Sequence, residues 1–106
     1  MSEQQFISEC EQLLNAIEDA LDGVGIDVDF NRTGHVLEIE FDNSSVIVVN
    51  GQVPMRQIWL AAPSGAHHFH KLDGRWVDTR SNEGFNAVLS RCASVQSGQE
   101  VIVAVG

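Results

Sequence analysis

Near the start of the chain, apolar residues recur every three or four positions, the spacing of one face of an α-helix. Ser2 and Gln5 have the spacing of a capping box, so we expect the helix to begin there. Gly23 and Gly25 predict its end. Six residues share the predicted apolar stripe: Phe6, Cys10, Leu13, Leu14, Ile17 and Leu21.

After this helix, apolar and polar residues alternate in short runs with turn residues between them. Alternation with period two is typical of half-buried strands, and short connections favour antiparallel hairpins. Arg32, Thr33 and Gly34 are predicted to form a turn, and residues 50–54 a break. The predicted strands lie at about 26–31, 36–41, 45–49, 57–61, 66–72 and 75–78.

A second helix is predicted to start near Asn82 to Gly84, because Phe85, Val88, Leu89 and Cys92 again share one helical face. Residues 101–105 are apolar and expected to pack as an extended tail. The order helix, hairpins, helix predicts an α+β fold in which both helices cover one face of a five- to six-stranded antiparallel sheet. At 106 residues we expect a single domain over residues 1–106.

The most unusual property of the sequence is its excess of acidic residues, which lie mainly in its first part. Six Lys and Arg stand against 15 Asp and Glu, a net charge of −9, and residues 1–42 hold 11 of the acids but only one base, Arg32. This balance argues against nucleic acid or an anionic membrane as a partner. Cys10 and Cys92 lie far apart on apolar helical faces, and no secretory signal precedes them, so we expect reduced thiols in a cytoplasmic protein.

The acids of the first helix fall on its solvent side, with Asn15 among them, and continue into the following strand. This helix has no Lys or Arg, and two acids sit in its last turns, where the helix dipole disfavours negative charge. Exposed carboxylates suit iron, manganese, magnesium or calcium, bound weakly. The alternative is a solvated face that only keeps the protein in solution. The candidate ligands, called the acidic ridge below, are Glu11, Glu18, Asp19, Asp22, Asp27 and Asp29.

Other side chains leave the choice between structure and function open. His68 and His70 would share one face of a strand and His67 the other, either as metal ligands or as ordinary polar residues. Trp59 either packs in the core or faces outward beside Gln57 as a protein-contact residue. We find no serine elbow and no phosphate-binding glycine loop, so the residues give no case for an enzyme.

Nearly the whole chain resembles the frataxins. The run Asn50-Gly51-Gln52-Val53-Pro54-Met55-Arg56-Gln57-Ile58-Trp59-Leu60-Ala61 resembles their central signature, and Asp73-Gly74-Arg75-Trp76-Val77 followed by residues 81–89 is similar to their later part. The resemblance implies a frataxin-like α/β sandwich. It also implies weak binding of Fe²⁺ or Fe³⁺ on the acidic ridge.

The resemblance further implies a regulator of iron–sulfur cluster assembly that contacts a cysteine desulfurase and a scaffold protein. The contact residues would be Arg56, Gln57 and Trp59. Alternatives are a ferroxidase-type iron-oxidising or iron-storage protein, and an acidic adaptor that needs no metal. We expect a monomer, with metal-driven oligomerisation as the alternative.

The sequence also departs from the family pattern. The end of the first helix carries fewer acids than bacterial members often have, so the acidic ridge is thinner than the resemblance would imply. Asn82 stands where the family often has Gly, and Gly84 where Ser or Thr usually caps the second helix. Asn tolerates a left-handed backbone and Gly is an adequate N-cap, so we expect the fold to be kept.

Overall fold

A computed structural model describes residues 1–105 and contains two helices and one six-stranded antiparallel sheet. The strands lie in the sheet in the order in which they occur in the chain, and every neighbouring pair is antiparallel. This confirms the predicted α+β class and gives six strands. The elements are α1 (Glu3–Gly23), β1 (Val28–Thr33), β2 (Val36–Phe41), β3 (Val46–Gln52), a 3₁₀ turn (Val53–Met55), β4 (Gln57–Ala62), β5 (Gly65–Leu72), β6 (Arg75–Asp78) and α2 (Phe85–Ser97).

The start and the buried face of α1 are as predicted. The Gln5 amide donates to Ser2 Oγ at 3.1 Å, and the Ser2 amide donates to Gln5 Oε1 at 2.9 Å, which completes a capping box. All six residues of the predicted stripe are buried. Cys10 and Cys92 are buried free thiols, and burial raises the pKa of the Cys10 thiol.

Both helices pack against one face of the sheet, and aromatic residues mark the contacts. The ring of Phe6 in α1 meets Trp76 in β6 edge to face, with centroids 6.0 Å apart. Phe85 in α2 meets Phe69 in β5 in the same way at 4.9 Å. Edge-to-face rings add to the stabilisation from buried apolar area. Within residues 1–105, the opposite side of the sheet carries no helix, and it is called the open face below.

The predicted break at residues 50–54 is wrong in its first half, because β3 continues through Gln52. Gly51 pairs with Ile58 across the sheet, and its amide donates to the carbonyl of His35 at 2.9 Å. A Cβ added at Gly51 would lie 2.5 Å from Cys10 Sγ. Glycine is therefore used here as a strand residue that lets α1 approach the sheet closely.

The turns on either side of β6 use a left-handed backbone. Asp73 and Gly74, with φ of 52° and 80°, join β5 to β6 as a two-residue hairpin loop. Asn82 has φ of 62°, as predicted, and Gly84 caps α2 with extended backbone and no side-chain bond. The segment between β6 and α2 is thus formed without the family's usual residues.

Asp78 organises this segment from a buried position. Its Oδ1 accepts hydrogen bonds from the amides of Arg80 at 2.7 Å and Ser81 at 3.2 Å, and its Oδ2 accepts one from His67 Nδ1 at 2.8 Å. Burial alone would raise the pKa of Asp78, but these hydrogen bonds outweigh burial and hold that pKa below its usual value. The ionised carboxylate therefore stabilises the chain reversal that leads into α2.

The tail is packed, as predicted, with Val101 and Val103 buried, and the element that it lies against is α2. One side chain on each of three successive turns of α2 binds every second residue of the tail. Ser94 Oγ accepts from the Val101 amide at 2.8 Å, Ser90 Oγ from Val103 at 3.0 Å, and Asn86 Oδ1 from Val105 at 2.7 Å. These bonds satisfy backbone groups that no strand pairs.

Replacing Gly51 tests the close contact with α1. We expect Gly51→Ala to lower the free energy of unfolding by about 1–3 kcal/mol, because the new methyl group overlaps Cys10 Sγ. The control is Gly23→Ala at the end of α1, where no atom lies within 4 Å of the added Cβ. Urea unfolding measures both, and equal stability of the two variants would contradict the close packing.

The Asp78 carboxylate should make folding sensitive to acid. Because its pKa is lowered in the folded protein, its contribution is complete above the unfolded pKa of about 3.9 and is lost as the pH falls further. We expect Asp78→Asn to cost about 1–3 kcal/mol at pH 7 and much less at pH 2–3. Asp42→Asn, at an exposed turn, is the control, and a cost independent of pH would contradict the prediction.

Candidate functional site

The acids of α1 form a row along its exposed side. Glu11, Asp19 and Asp22 are exposed, whereas Glu18 is half-buried. Within residues 1–105, no basic side chain forms a salt bridge with Glu11, Asp19 or Asp22. Their negative charge is therefore offset only by solvent and dissolved ions.

The turn predicted at Arg32 is wrong. This residue belongs to β1, and its side chain reaches back to α1. The guanidinium donates to Asn15 Oδ1, lies 3.4 Å from Glu18 Oε2, and approaches the Glu11 carbonyl at 3.5 Å. One acid in the row is thus partly neutralised, and this base fixes the edge of the sheet to α1.

A second base lies near the start of α1. Lys71 Nζ in β5 is 2.7 Å from Glu9 Oε1 and 5.0 Å from the centre of the Trp76 ring. Glu9 is outside the acidic ridge, so this pair leaves the ridge charge unchanged. It shows, however, that helix acids without partners on the helix can have them on the sheet.

The two strand acids of the ridge are separated from the helix acids. Asp27 is exposed and precedes β1, and Asp29 lies on the open face, since Arg32 and the half-buried Phe30 face the helices. Asp29 stands directly opposite Glu40, and Glu38 is the next acid along β2 on the same face. Glu38 and Glu40 were not among the predicted ligands, although the alternation in β2 already placed them on the polar face.

The acidic residues lie in rows and do not surround a common centre. Among residues 1–105, no three side chains of His, Cys, Asp or Glu are grouped so that they could hold one metal ion. Carboxylate oxygens arranged in this way offer one or two ligands at a time to a hard cation, with water completing its coordination.

Trp59 faces outward, which was one of the two orientations considered. Ile58 and Leu60 are buried, so Gln57, Trp59 and Ala61 lie on the open face. Trp59 Nε1 donates to Gln57 Oε1 at 2.9 Å, and the indole lies flat on His68 with centroids 4.1 Å apart and planes 10° apart. The ring is therefore held in place on an accessible surface.

Arg56 lies next to this strip at the end of the 3₁₀ turn. Its backbone is left-handed, with φ of 53°, and its side chain donates to the carbonyl of Val53. The guanidinium is thus held near the start of β4. Gln57 and Trp59 are in contact on the open face, and Arg56 is the residue before them in the chain.

The three histidines are divided between the sheet faces as predicted. His68 and His70 lie on the open face, opposite Trp59 and Gln57, whereas His67 lies on the helix side and binds Asp78. No helix among residues 1–105 is long and apolar enough to cross a membrane.

A six-stranded antiparallel sheet covered on one face by two helices, with acids along the first helix, is the architecture of frataxin-like proteins. The family model for the frataxin-like domain matches residues 1–99. The chain therefore belongs to the frataxin family. It is 45% identical to the iron–sulfur cluster assembly protein CyaY of Paraburkholderia phymatum over 98% of this chain and 99% of that one. It is 44% identical to CyaY of Ralstonia pickettii, over 100% and 97% of the two chains.

Solved structures give the same result. Frataxin from Psychromonas ingrahamii matches with a TM-score of 0.89 and 35% identity, covering 96% of this chain and 97% of that one. Trimeric frataxin from Saccharomyces cerevisiae, complexed with ferrous iron, matches with a TM-score of 0.73 and 28% identity over 86% and 87% of the chains. The fold predicted from the sequence is thus the fold of the family.

Arg32 should limit how strongly the acids of α1 attract cations. We expect Arg32→Gln to tighten the binding of Mn²⁺, used as a probe, by a few-fold, because Glu18 is freed and one positive charge is lost. The same variant should lose about 0.5–1 kcal/mol of stability, as expected for a partly exposed ion pair. Arg91→Gln in α2, which breaks the pair with Glu83, removes the same charge elsewhere and is the control. If both variants bound Mn²⁺ equally, Arg32 would have no special role.

Proposed function

We propose that this protein is an iron-binding regulator of iron–sulfur cluster assembly, located in the cytoplasm and without catalytic activity of its own. The names of the CyaY relatives support the pathway, and the ferrous complex of yeast frataxin supports iron as the metal. The observation that carries the proposal is the row of exposed acids on α1, of which Glu11, Asp19 and Asp22 have no basic partner within residues 1–105.

Iron would bind to the acidic ridge through carboxylate oxygens. Glu18 and Asp22 are four residues apart on the helix, so their like charges repel each other, and a cation between them would relieve that repulsion. Ferrous and ferric ions accept oxygen ligands of this kind. Since the ligands are few and open to water, the iron would be weakly held and exchangeable, so it could be passed on to another protein.

The same charge would bring the protein to its partners. A ridge with unpaired acids attracts a basic surface, which speeds association and makes it sensitive to salt. We propose that the cysteine desulfurase provides this basic surface. Arg56, Gln57 and Trp59 would contact the scaffold protein, since a fixed, half-exposed Trp is a typical anchor of a protein interface.

Charge reversal on α1 tests the function. Asp19→Lys with Asp22→Lys changes the net charge from −9 to −5 and avoids Glu18, whose reversal would repel Arg32. We expect the affinities for Fe²⁺ and for the desulfurase each to fall by about tenfold or more. Isothermal titration measures the first under anaerobic conditions, and surface binding at two salt concentrations measures the second.

The matched control is Asp42→Lys with Glu100→Lys, which makes the same change of net charge at exposed residues outside the acidic ridge. If both double variants behaved alike, total charge would matter and the ridge would not. Desulfurase binding that is lost on reversal but is unaffected by an iron chelator would favour the metal-independent adaptor. In NMR spectra, Fe²⁺ should broaden signals within residues 11–29 first.

A further inference from the structure

The open face carries two imidazoles that the acidic ridge does not use. His68 and His70 are two residues apart on β5, on either side of the buried Phe69. Their Cα atoms are separated by about 6.6 Å along an extended strand, and both side chains leave the same face. Two imidazoles in this arrangement can bind one cation together.

The His68 ring is held in position before any ligand arrives. It lies flat against the Trp59 indole, with planes 10° apart. Stacking covers one face of the ring and leaves both nitrogens at its edge, where a metal binds in the ring plane. Among residues 1–105, no group is hydrogen-bonded to the His68 or His70 side chain.

The neighbour of His70 is engaged elsewhere. Gln57 stands opposite His70, but its side-chain carbonyl accepts the hydrogen bond of Trp59 Nε1 at 2.9 Å. His67 differs from these two histidines, because its Nδ1 is bound to the buried Asp78. The open-face pair is thus available to a ligand, whereas His67 has a structural partner.

We propose that His68 and His70 form a second metal site, which takes a divalent ion that prefers imidazole, such as Ni²⁺, Cu²⁺ or Zn²⁺. Neutral imidazole favours these ions, whereas the carboxylates of the acidic ridge favour hard cations, so the two surfaces select different metals. Water would complete the coordination. Arg80 lines the hollow beside His68, and Arg75 lies on the open face near His70. Because both side chains are positively charged, they repel a bound cation and keep metal binding weak.

The site coincides with the proposed protein-contact strip. An ion on His68 lies next to the ring of Trp59, so a bound metal and a partner docked on Trp59 would compete for the same surface. The metal site depends on the placement of His68 and His70 beside Trp59 and Gln57, and it can be tested separately from iron binding on α1.

Nickel alone is the test ion, since it is paramagnetic and does not oxidise the thiols. Titration of the full chain with Ni²⁺ should quench the fluorescence of Trp59 much more than that of the buried Trp76, and should broaden amide NMR signals of β4 and β5. We expect His70→Gln and His68→Gln each to weaken binding by about tenfold or more, because the second imidazole acts at high effective concentration. His35→Gln, in the β1–β2 turn, is the matched control and should bind as the parent does.

His70 is not buried, so its replacement by Gln should leave the fold intact, which the NMR spectrum of the variant verifies. Unchanged Ni²⁺ affinity in His70→Gln would overturn the proposal. Broadening limited to the amino terminus or to residues 11–29 would also overturn it. Loss of Fe²⁺ binding in the Asp19 and Asp22 variant, with Ni²⁺ binding retained, would show that the two sites are independent.

Discussion

The contact between Cys10 and Gly51 is the interaction on which the arrangement of this molecule depends. It brings α1 so close to β3 that any larger residue at Gly51 would overlap the sulfur. The contact fixes the rotation of α1 about its axis, because Phe6 must then meet Trp76 and the apolar stripe must face the sheet. Once the rotation is fixed, the acids on the other side of the helix face water. The acidic row is a consequence of how the core is packed.

Covering only one face of the sheet gives the protein two chemically different surfaces. The alternation of each strand sends carboxylates of β1 and β2 to one part of the open face, and Trp59, His68 and His70 of β4 and β5 to another. The acids suit hard cations and basic partners, while the aromatic and imidazole strip suits a protein contact or a softer metal. A small domain can in this way present separate surfaces without an enclosed cavity.

Local patterns predicted most of the fold. The stripe of α1 and the capping box at Ser2 are set by local spacing, which depends on near neighbours alone. The direction of Trp59 stayed open, because it depends on which face of β4 the helices cover. The errors concern contacts between residues far apart in sequence. Arg32 was assigned to a turn, and its contact with Glu18 across 14 positions depends on how β1 packs beside α1. Gly51 looked like a break because its partner, Cys10, is on another element.

Where the tail docks on α2, the spacing of side chains along a helix must match the spacing of residues along an extended chain. Four residues of a helix advance about 6.0 Å, whereas two residues of an extended chain advance about 6.6 Å. From one hydrogen bond to the next, the tail therefore moves about 0.6 Å out of register with the side chains of Asn86, Ser90 and Ser94. Over three bonds the shift reaches about 1.2 Å, which slightly tilted hydrogen bonds tolerate. Further bonds of this type would fall out of step, so the arrangement works as a short clamp of defined length and could not hold a long strand.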